Sequence, residues 1–345
     1  MKNLLIITQK VDEEDQALGF FIEWINQFSK HFSNVLVLCL EKGKYSLPSN
    51  VKVESLGKDR GISKISQFFN FYLYIFSKRN SYDAVFVHMN PIWMALGGLA
   101  WLILSKKRVL WYTHKSVTIR LKLASIWANV ITTASLESLR IKTKKKVVTG
   151  HGIDTKLFSP KAESTPANHL LFVGRITPSK NFDILVNSAR ILLNKSIDFK
   201  ITVVGKPELK SDQNYLEKLR QKINTLGLKD HFEFKGLVKH RDLPKIYNSH
   251  RIFIHSSRTG SLDKTVLEAM ASGMDVISSN DASKSFLPED RIFDNEDAEH
   301  LAEILENRIN NPPNSNFRQY VLKHHNLPDL ISRLSIFLKN NEPVK

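Results

Sequence analysis

Short apolar runs alternate with stretches of helical spacing throughout this 345-residue sequence. In the first half the runs fall at 4–8, 35–40, 84–88, 109–113, 130–133 and 146–148. In the second half they fall at 169–173, 200–204, 231–235, 251–255 and 275–278, with a weaker one at 291–293. Helical patterns lie between them, at 19–32, 62–78, 92–104, 181–194, 214–226, 241–249, 265–272 and 297–310, and two more follow at 317–325 and 327–340. Parallel strands need a crossover, and a crossover helix buries its apolar face on the sheet. The pattern therefore predicts an α/β fold with two doubly wound, Rossmann-like domains. The join falls near 158–168, where Ser159, Pro160 and Pro166 break the pattern. The expected domains are 1–158 and 168–325, followed by a final helical segment, 326–345. Such sheets bind ligands beyond the carboxyl ends of their strands, so two facing domains would place a ligand in a cleft between them.

The formal net charge is +16. Between Trp101 and Pro160 stand twelve Lys or Arg residues against Glu137 and Asp154 alone. A positive field of this kind attracts phosphates on nucleotides, anionic lipids or nucleic acid, although a solvated basic face has the same composition. No nucleic-acid recognition motif accompanies it. Trp101, Trp111 and Trp127 lie among these cations and suggest a surface resting on an anionic membrane. The single cysteine, Cys39, permits no disulfide within the chain and fits a reducing compartment. The first ten residues read as a buried strand rather than a signal peptide. The run 92–104 is too short to span a bilayer.

Three segments carry candidate chemistry. Strand 169–173 runs into Gly174-Arg175-Ile176-Thr177-Pro178-Ser179-Lys180, and two cations on one strand-end loop suit a diphosphate. Their effect is largest when the diphosphate is a leaving group, because its charge grows in the transition state. Strand 251–255 runs into Ser256–Gly273, a polar loop that becomes a helix near Thr265 and carries Glu268 about one turn in. Its helix start would point N–H groups at a phosphate. Gly150-His151-Gly152-Ile153-Asp154 lacks the third glycine of a dinucleotide fingerprint and reads as a turn, with Phe158 as a buried anchor. His114 ends an apolar run and has two readings, a packed residue or a ligand contact. Asp294 to Asp297 reads as a helix cap. No metal-binding spacing and no P-loop are present, so no metal and no cofactor are expected.

Taken in order, the segments resemble the retaining glycosyltransferases of family 4, the glycosyl transferases group 1, which have the GT-B fold. The matching residues are His151-Gly152-Ile153-Asp154-Thr155-Lys156-Leu157-Phe158, then Phe172-Val173-Gly174-Arg175 with Lys180, then Glu268-Ala269-Met270-Ala271-Ser272-Gly273. Phe234 to Val238 and Ser135 to Arg140 resemble further family segments. The resemblance implies a nucleoside-diphosphate-sugar donor held mainly by the second domain. Arg175 and Lys180 would hold the diphosphate, with Gly174 in the same loop. Glu268 would bind the ribose hydroxyls, and Lys264, Thr265 and Val266 would cap a phosphate. Gly236 and Val238 would lie by the base, His114 by the donor sugar and Gly19 by the acceptor and phosphate. The final helix would pack back on the first domain. Two positions depart from the family pattern. Gly260 stands where the family has a sugar-gripping glutamate, with Asp263 as a candidate substitute. Leu18-Gly19, after the acidic run Asp12-Glu13-Glu14-Asp15, stands for a Gly-Gly pair. The implied activity is metal-independent hexosyl transfer to a lipid-linked or growing polysaccharide acceptor. It would take place in the cytoplasm, with a peripheral position on the inner membrane face. An inactive nucleotide-sugar binder and a nucleotide-sugar isomerase are the alternatives.

Overall fold

The computed structural model describes residues 2–15, 17–161, 165–258, 260–311 and 317–340. They form two compact units, 1–154 with 324–345, and 155–323. The first unit contains β1 (Leu4–Val11), α1 (Phe21–Ser29), β2 (Val35–Lys42), β3 (Val51–Ser55), α2 (Lys64–Ser77), β4 (Ala84–His88), α3 (Pro91–Ile103), β5 (Lys107–Trp111), α4 (Ile119–Trp127), β6 (Val130–Thr133) and β7 (Lys146–Val148). Its seven strands run parallel in the order β3-β2-β1-β4-β5-β6-β7. Side chains alternate across this sheet with period two. Leu4, Ile6, Val37, Phe86 and Trp111 face one core, while Leu5, Ile7, Leu38, Val87 and Leu110 face another. α2, α3 and α4 cover the second core, through Phe71, Met94, Trp101 and Leu121.

The second unit contains β8 (His169–Val173), α5 (Phe182–Asn194), β9 (Lys200–Val204), α6 (Lys210–Thr225), β10 (Phe232–Gly236), α7 (Leu243–Asn248), β11 (Ile252–His255), α8 (Lys264–Ala271), β12 (Asp275–Ser278), α9 (Ala298–Asn310) and α10 (Phe317–His324). Its five strands are parallel in the order β10-β9-β8-β11-β12. The last helix, α11 (Leu327–Lys339), belongs to the first unit. Its residues Leu330, Ile331, Leu334 and Leu338 join Trp24, Phe28 and Trp111 in the first core.

Two elements lie outside the sequence expectation. β3 is a sheet-edge strand whose only buried residue is Val53, so no apolar run marks it. α4 buries only Leu121 and Ala124, which leaves little core-facing periodicity. The expected strand at 291–293 is instead an isolated bridge between Ser278 and Ile292. The join at 158–168 lies partly outside the described residues. Among the described residues no helix is long and apolar enough to cross a membrane.

Candidate functional site

In the second unit the strand order reverses between β8 and β11, which opens a crevice at their carboxyl ends. The loops that follow these two strands are bonded to each other there. Ser256 Oγ donates to the Lys180 carbonyl at 2.8 Å, and Arg258 N–H donates to the Ser179 carbonyl at 3.0 Å. Lys180 is thereby fixed by its backbone. Its Nζ forms an ion pair with Asp263 and lies 3.4 Å from Ser257 Oγ. Asp263 Oδ2 is also 2.7 Å from His255 Nε2, on the last residue of β11. His255 is buried, and its Nδ1 lies 3.1 Å from Ser278 Oγ at the end of β12.

Charge follows from this chain of contacts. Burial acts to raise the Asp263 carboxyl, but the Lys180 charge and the His255 hydrogen bond outweigh it and hold the group well below the usual carboxylate range. Burial pushes His255 below its ordinary value, and Asp263 only partly opposes this. Near neutral pH Asp263 is therefore a carboxylate and His255 a neutral imidazole. Asp263 stands at the N-cap position of α8 yet makes no capping hydrogen bond, because its carboxylate turns to Lys180 and His255. The first turn of α8, Lys264-Thr265-Val266, receives no side-chain cap from it. The bond to Lys180 makes Asp263 part of the lysine's support.

Glu268 sits on α8 with 2% exposure. Its Oε1 lies 3.0 Å from His240 Nε2, and its Oε2 accepts from Tyr247 OH at 3.1 Å. Burial, then the Glu268 charge, raises the Tyr247 phenol well above its ordinary value, so it remains a donor. A carboxylate offers about four lone-pair positions, and these two contacts leave acceptor capacity for hydroxyls. Phe158 meets the rings of His240 and Tyr247 edge-on, at centroid distances of 5.2 and 5.7 Å. It is the anchor expected from sequence. Arg318, on α10, donates to the carbonyls of Thr155, Phe158 and Ala271, tying residues 155–158 to the end of α8. Sequence reasoning missed His240, Tyr247 and Arg318. They are remote in sequence from Glu268 and belong to no motif, and only their packing reveals them.

Arg175 is not drawn into the Lys180 cluster. It is more than half exposed and forms a surface ion pair with Glu208. Gly174 donates its N–H to the Val204 carbonyl at 2.9 Å, and its own carbonyl lies against Gly205. Gly205 has φ +135°, and a Cβ there would strike the Gly174 backbone. Gly236 ends β10 at φ +67°, its carbonyl accepting from Gly205 N–H at 2.8 Å, and Val238 is half-buried just beyond. Gly260 also takes a left-handed conformation, φ +68°.

In the first unit the strand order reverses between β1 and β4. Gly19 follows β1 and donates its N–H to the Asp15 carbonyl at 2.9 Å. Asp12 and Asp15 are both paired with Lys10, so part of the acidic run folds onto a cation. His114 is exposed in the loop beyond β5, and its Nδ1 accepts from Ser116 N–H at 3.1 Å. Asp297 caps α9, accepting from His300 N–H at 2.8 Å. The tryptophan expectation is corrected: Trp101 and Trp111 are fully buried, because their rings fill the two cores against the sheet, and Trp127 is half-buried, its ring against Gly98 of α3. The basic segment is also less of a solvated face than its composition suggests. Lys106, Arg108 and Lys145 turn their cationic groups onto backbone carbonyls of Tyr82, Trp127 and Ser125.

Residues 154–324 match the family described as Glycosyl transferases group 1. Mannosylfructose-phosphate synthase of Agrobacterium fabrum is 28% identical over 150 residues, 40% of this chain and 33% of that protein. The lipopolysaccharide core biosynthesis mannosyltransferase LpsB of Rhizobium meliloti is 32% identical over 143 residues, 38% of this chain and 39% of that protein. The chain thus spans well under half the length of these two relatives. Among solved structures, Anabaena HepE in complex with UDP superposes with a TM-score of 0.77 at 16% identity, covering 98% of this chain and 99% of that one. At that identity the likeness establishes the fold, which is GT-B.

Proposed function

We infer, from the premise that residues 154–324 belong to the glycosyl transferases group 1, that the chain moves a hexosyl unit from a nucleoside-diphosphate sugar to an acceptor hydroxyl with retention of configuration. One observation carries this reading. Lys180 is held at the strand reversal of the second unit by Asp263, which is itself held by the buried His255. An ammonium fixed in this way can meet the charge that develops on a departing diphosphate without reorganising. Arg175 adds a second cation, since its surface pair with Glu208 is worth little and a phosphate can replace it. Glu268, oriented by His240 and Tyr247, is suited to ribose hydroxyls. The first turn of α8 offers N–H groups to the phosphates. His114 and Gly19 keep the sugar and acceptor roles that the resemblance gives them.

As the bond from the anomeric carbon to the diphosphate oxygen breaks, Lys180 and Arg175 stabilise the oxygen that gains charge. The acceptor oxygen forms the new bond, and its proton passes to the leaving phosphate. This route needs neither a side-chain base nor a metal, and we propose metal-independent transfer on that ground. LpsB and the GDP-Man:Man(3)GlcNAc(2)-PP-Dol mannosyltransferases among the relatives support a lipid-linked or polysaccharide acceptor. A cytoplasmic enzyme at the inner membrane face fits that acceptor. A second reading, a nucleotide-sugar binder without transfer, is favoured by Gly260 and by the commitment of Asp263 to Lys180. A thermal-shift screen of UDP, GDP and their sugars, followed by measurement of nucleoside diphosphate released with acceptor present, separates the two. Release that requires acceptor supports transfer. Binding without any release leaves only the binder.

A further inference from the structure

The outer surface of α2, α3 and α4 is apolar. Of the eighteen exposed large hydrophobic side chains among the described residues, twelve lie on these helices or just before α4. On α2 they form one stripe, with Ile65 72%, Phe69 60% and Leu73 67% exposed at four-residue spacing. On α4, Ile119 and Ile126 are 77% and 61% exposed, and Ile103 at the end of α3 is 74% exposed. The three helices form one layer. Their inner residues share a single core, Tyr72 OH bonds the Leu96 carbonyl at 2.9 Å, and Gly98 of α3 lies directly against the Trp127 ring of α4. A contiguous apolar surface of this kind on a folded unit marks an interaction site.

Charge selects the occupant. From residue 60 to 136 there are ten Lys or Arg and a single carboxylate, Asp83. Asp83 accepts the Asn3 N–H at the start of the sheet, and none of the three helices contains an acidic residue. Lys64, Lys78, Arg79, Arg120 and Lys122 are exposed on or beside the apolar stripes. Apolar side chains interleaved with cations match the boundary between acyl chains and anionic headgroups. A second copy docking by the same face would bring these cations together, which argues against self-association.

We propose that the outer face of α2, α3 and α4 docks on an anionic lipid surface, with Ile65, Phe69, Leu73, Ile103, Ile119 and Ile126 entering the headgroup region. This relocates the membrane contact from the buried tryptophans to these helices. It rests on the proposed function only for what the membrane supplies, a lipid-linked acceptor.

The test is co-sedimentation of the full chain with vesicles of phosphatidylcholine alone and of equal parts phosphatidylcholine and phosphatidylglycerol. Binding to the anionic vesicles is expected to exceed binding to the neutral ones about tenfold and to weaken with salt. Phe69→Ser with Ile119→Ser, and separately Arg120→Glu with Lys122→Glu, should each lower it about tenfold. Thermal shifts by UDP and GDP should stay at the wild-type value in both variants, which shows that they fold and tests the nucleotide site independently. The proposal is overturned if the wild type ignores anionic vesicles, if both variants still bind, or if light scattering shows a dimer that the serine variant dissolves.

Discussion

Replacing Lys180 with Met, alone and together with Asp263→Asn, separates what the lysine does for turnover from what it does for stability. Breaking a buried ion pair by removing one partner costs about 3–5 kcal/mol. Here the Lys180 and Asp263 side chains are 14% and 24% exposed, so solvent screens part of the loss. The expected cost of Lys180→Met is about 2 kcal/mol, or a melting shift of roughly 5 °C for a unit of this size. The neutral amide in the double variant no longer needs a cation, so at least half of that loss should return. Turnover should behave otherwise. Removing one preorganised donor typically costs about 3 kcal/mol in the transition state, a hundredfold or more in kcat, and the amide restores none of it. Stability is read from chemical denaturation, and turnover from release of nucleoside diphosphate. Additive stability losses, with a coupling below about 0.5 kcal/mol, would contradict the ion-pair argument. Turnover of Lys180→Met within tenfold of wild type would contradict the leaving-group argument.

Arg175→Ala should lower turnover roughly a hundredfold with the melting temperature unchanged, because its partner Glu208 is a surface group; a kinetic assay beside a melting curve checks both. Glu268→Ala leaves the Tyr247 hydroxyl and His240 without their carboxylate, so a stability loss of about 1–3 kcal/mol is expected with weaker nucleotide affinity, measurable by denaturation and calorimetry. His325 is pushed down to about 4, first by burial and then by His324 and Arg333, while its Nδ1 accepts from His151 N–H. Its folded value lies below the unfolded one, so the unfolded chain takes the proton first and stability falls as pH drops from about 6.5 toward 4. The loss across that window is about 3 kcal/mol, and His325→Asn should flatten the melting temperature against pH there.

The two doubly wound units were legible because their central strands are buried on both faces and so read as continuous apolar runs. β3 was not legible, since an edge strand with only Val53 buried leaves no run. α4 was hidden for the opposite reason: Ile119, Leu123 and Ile126 point away from the core, so its apolar pattern signals a surface. Lys180 stood out as a cation on a strand-end loop, and Glu268 as a carboxylate one turn into the helix that follows such a loop. Their supports did not, because His255 reads as the polar end of an apolar strand and Tyr247 as one more aromatic. Asp263 was noticed for its carboxylate and given a sugar to hold, whereas the fold gives it Lys180. The tryptophans misled because a large ring near cations has the same composition whether it faces solvent or a sheet.

The placement of α11 also governs the order in which the chain can mature. The helix completes one face of the first sheet, yet its residues follow the whole second unit in sequence. A nascent chain therefore has the second unit, one continuous stretch, in hand before it has the helix that packs on Trp24, Phe28 and Trp111. Domains made on the ribosome generally settle in the order they emerge. In this chain the first unit's core closes only after the second unit has been made, and until then the faces of Trp24, Phe28 and Trp111 that α11 covers lack that cover.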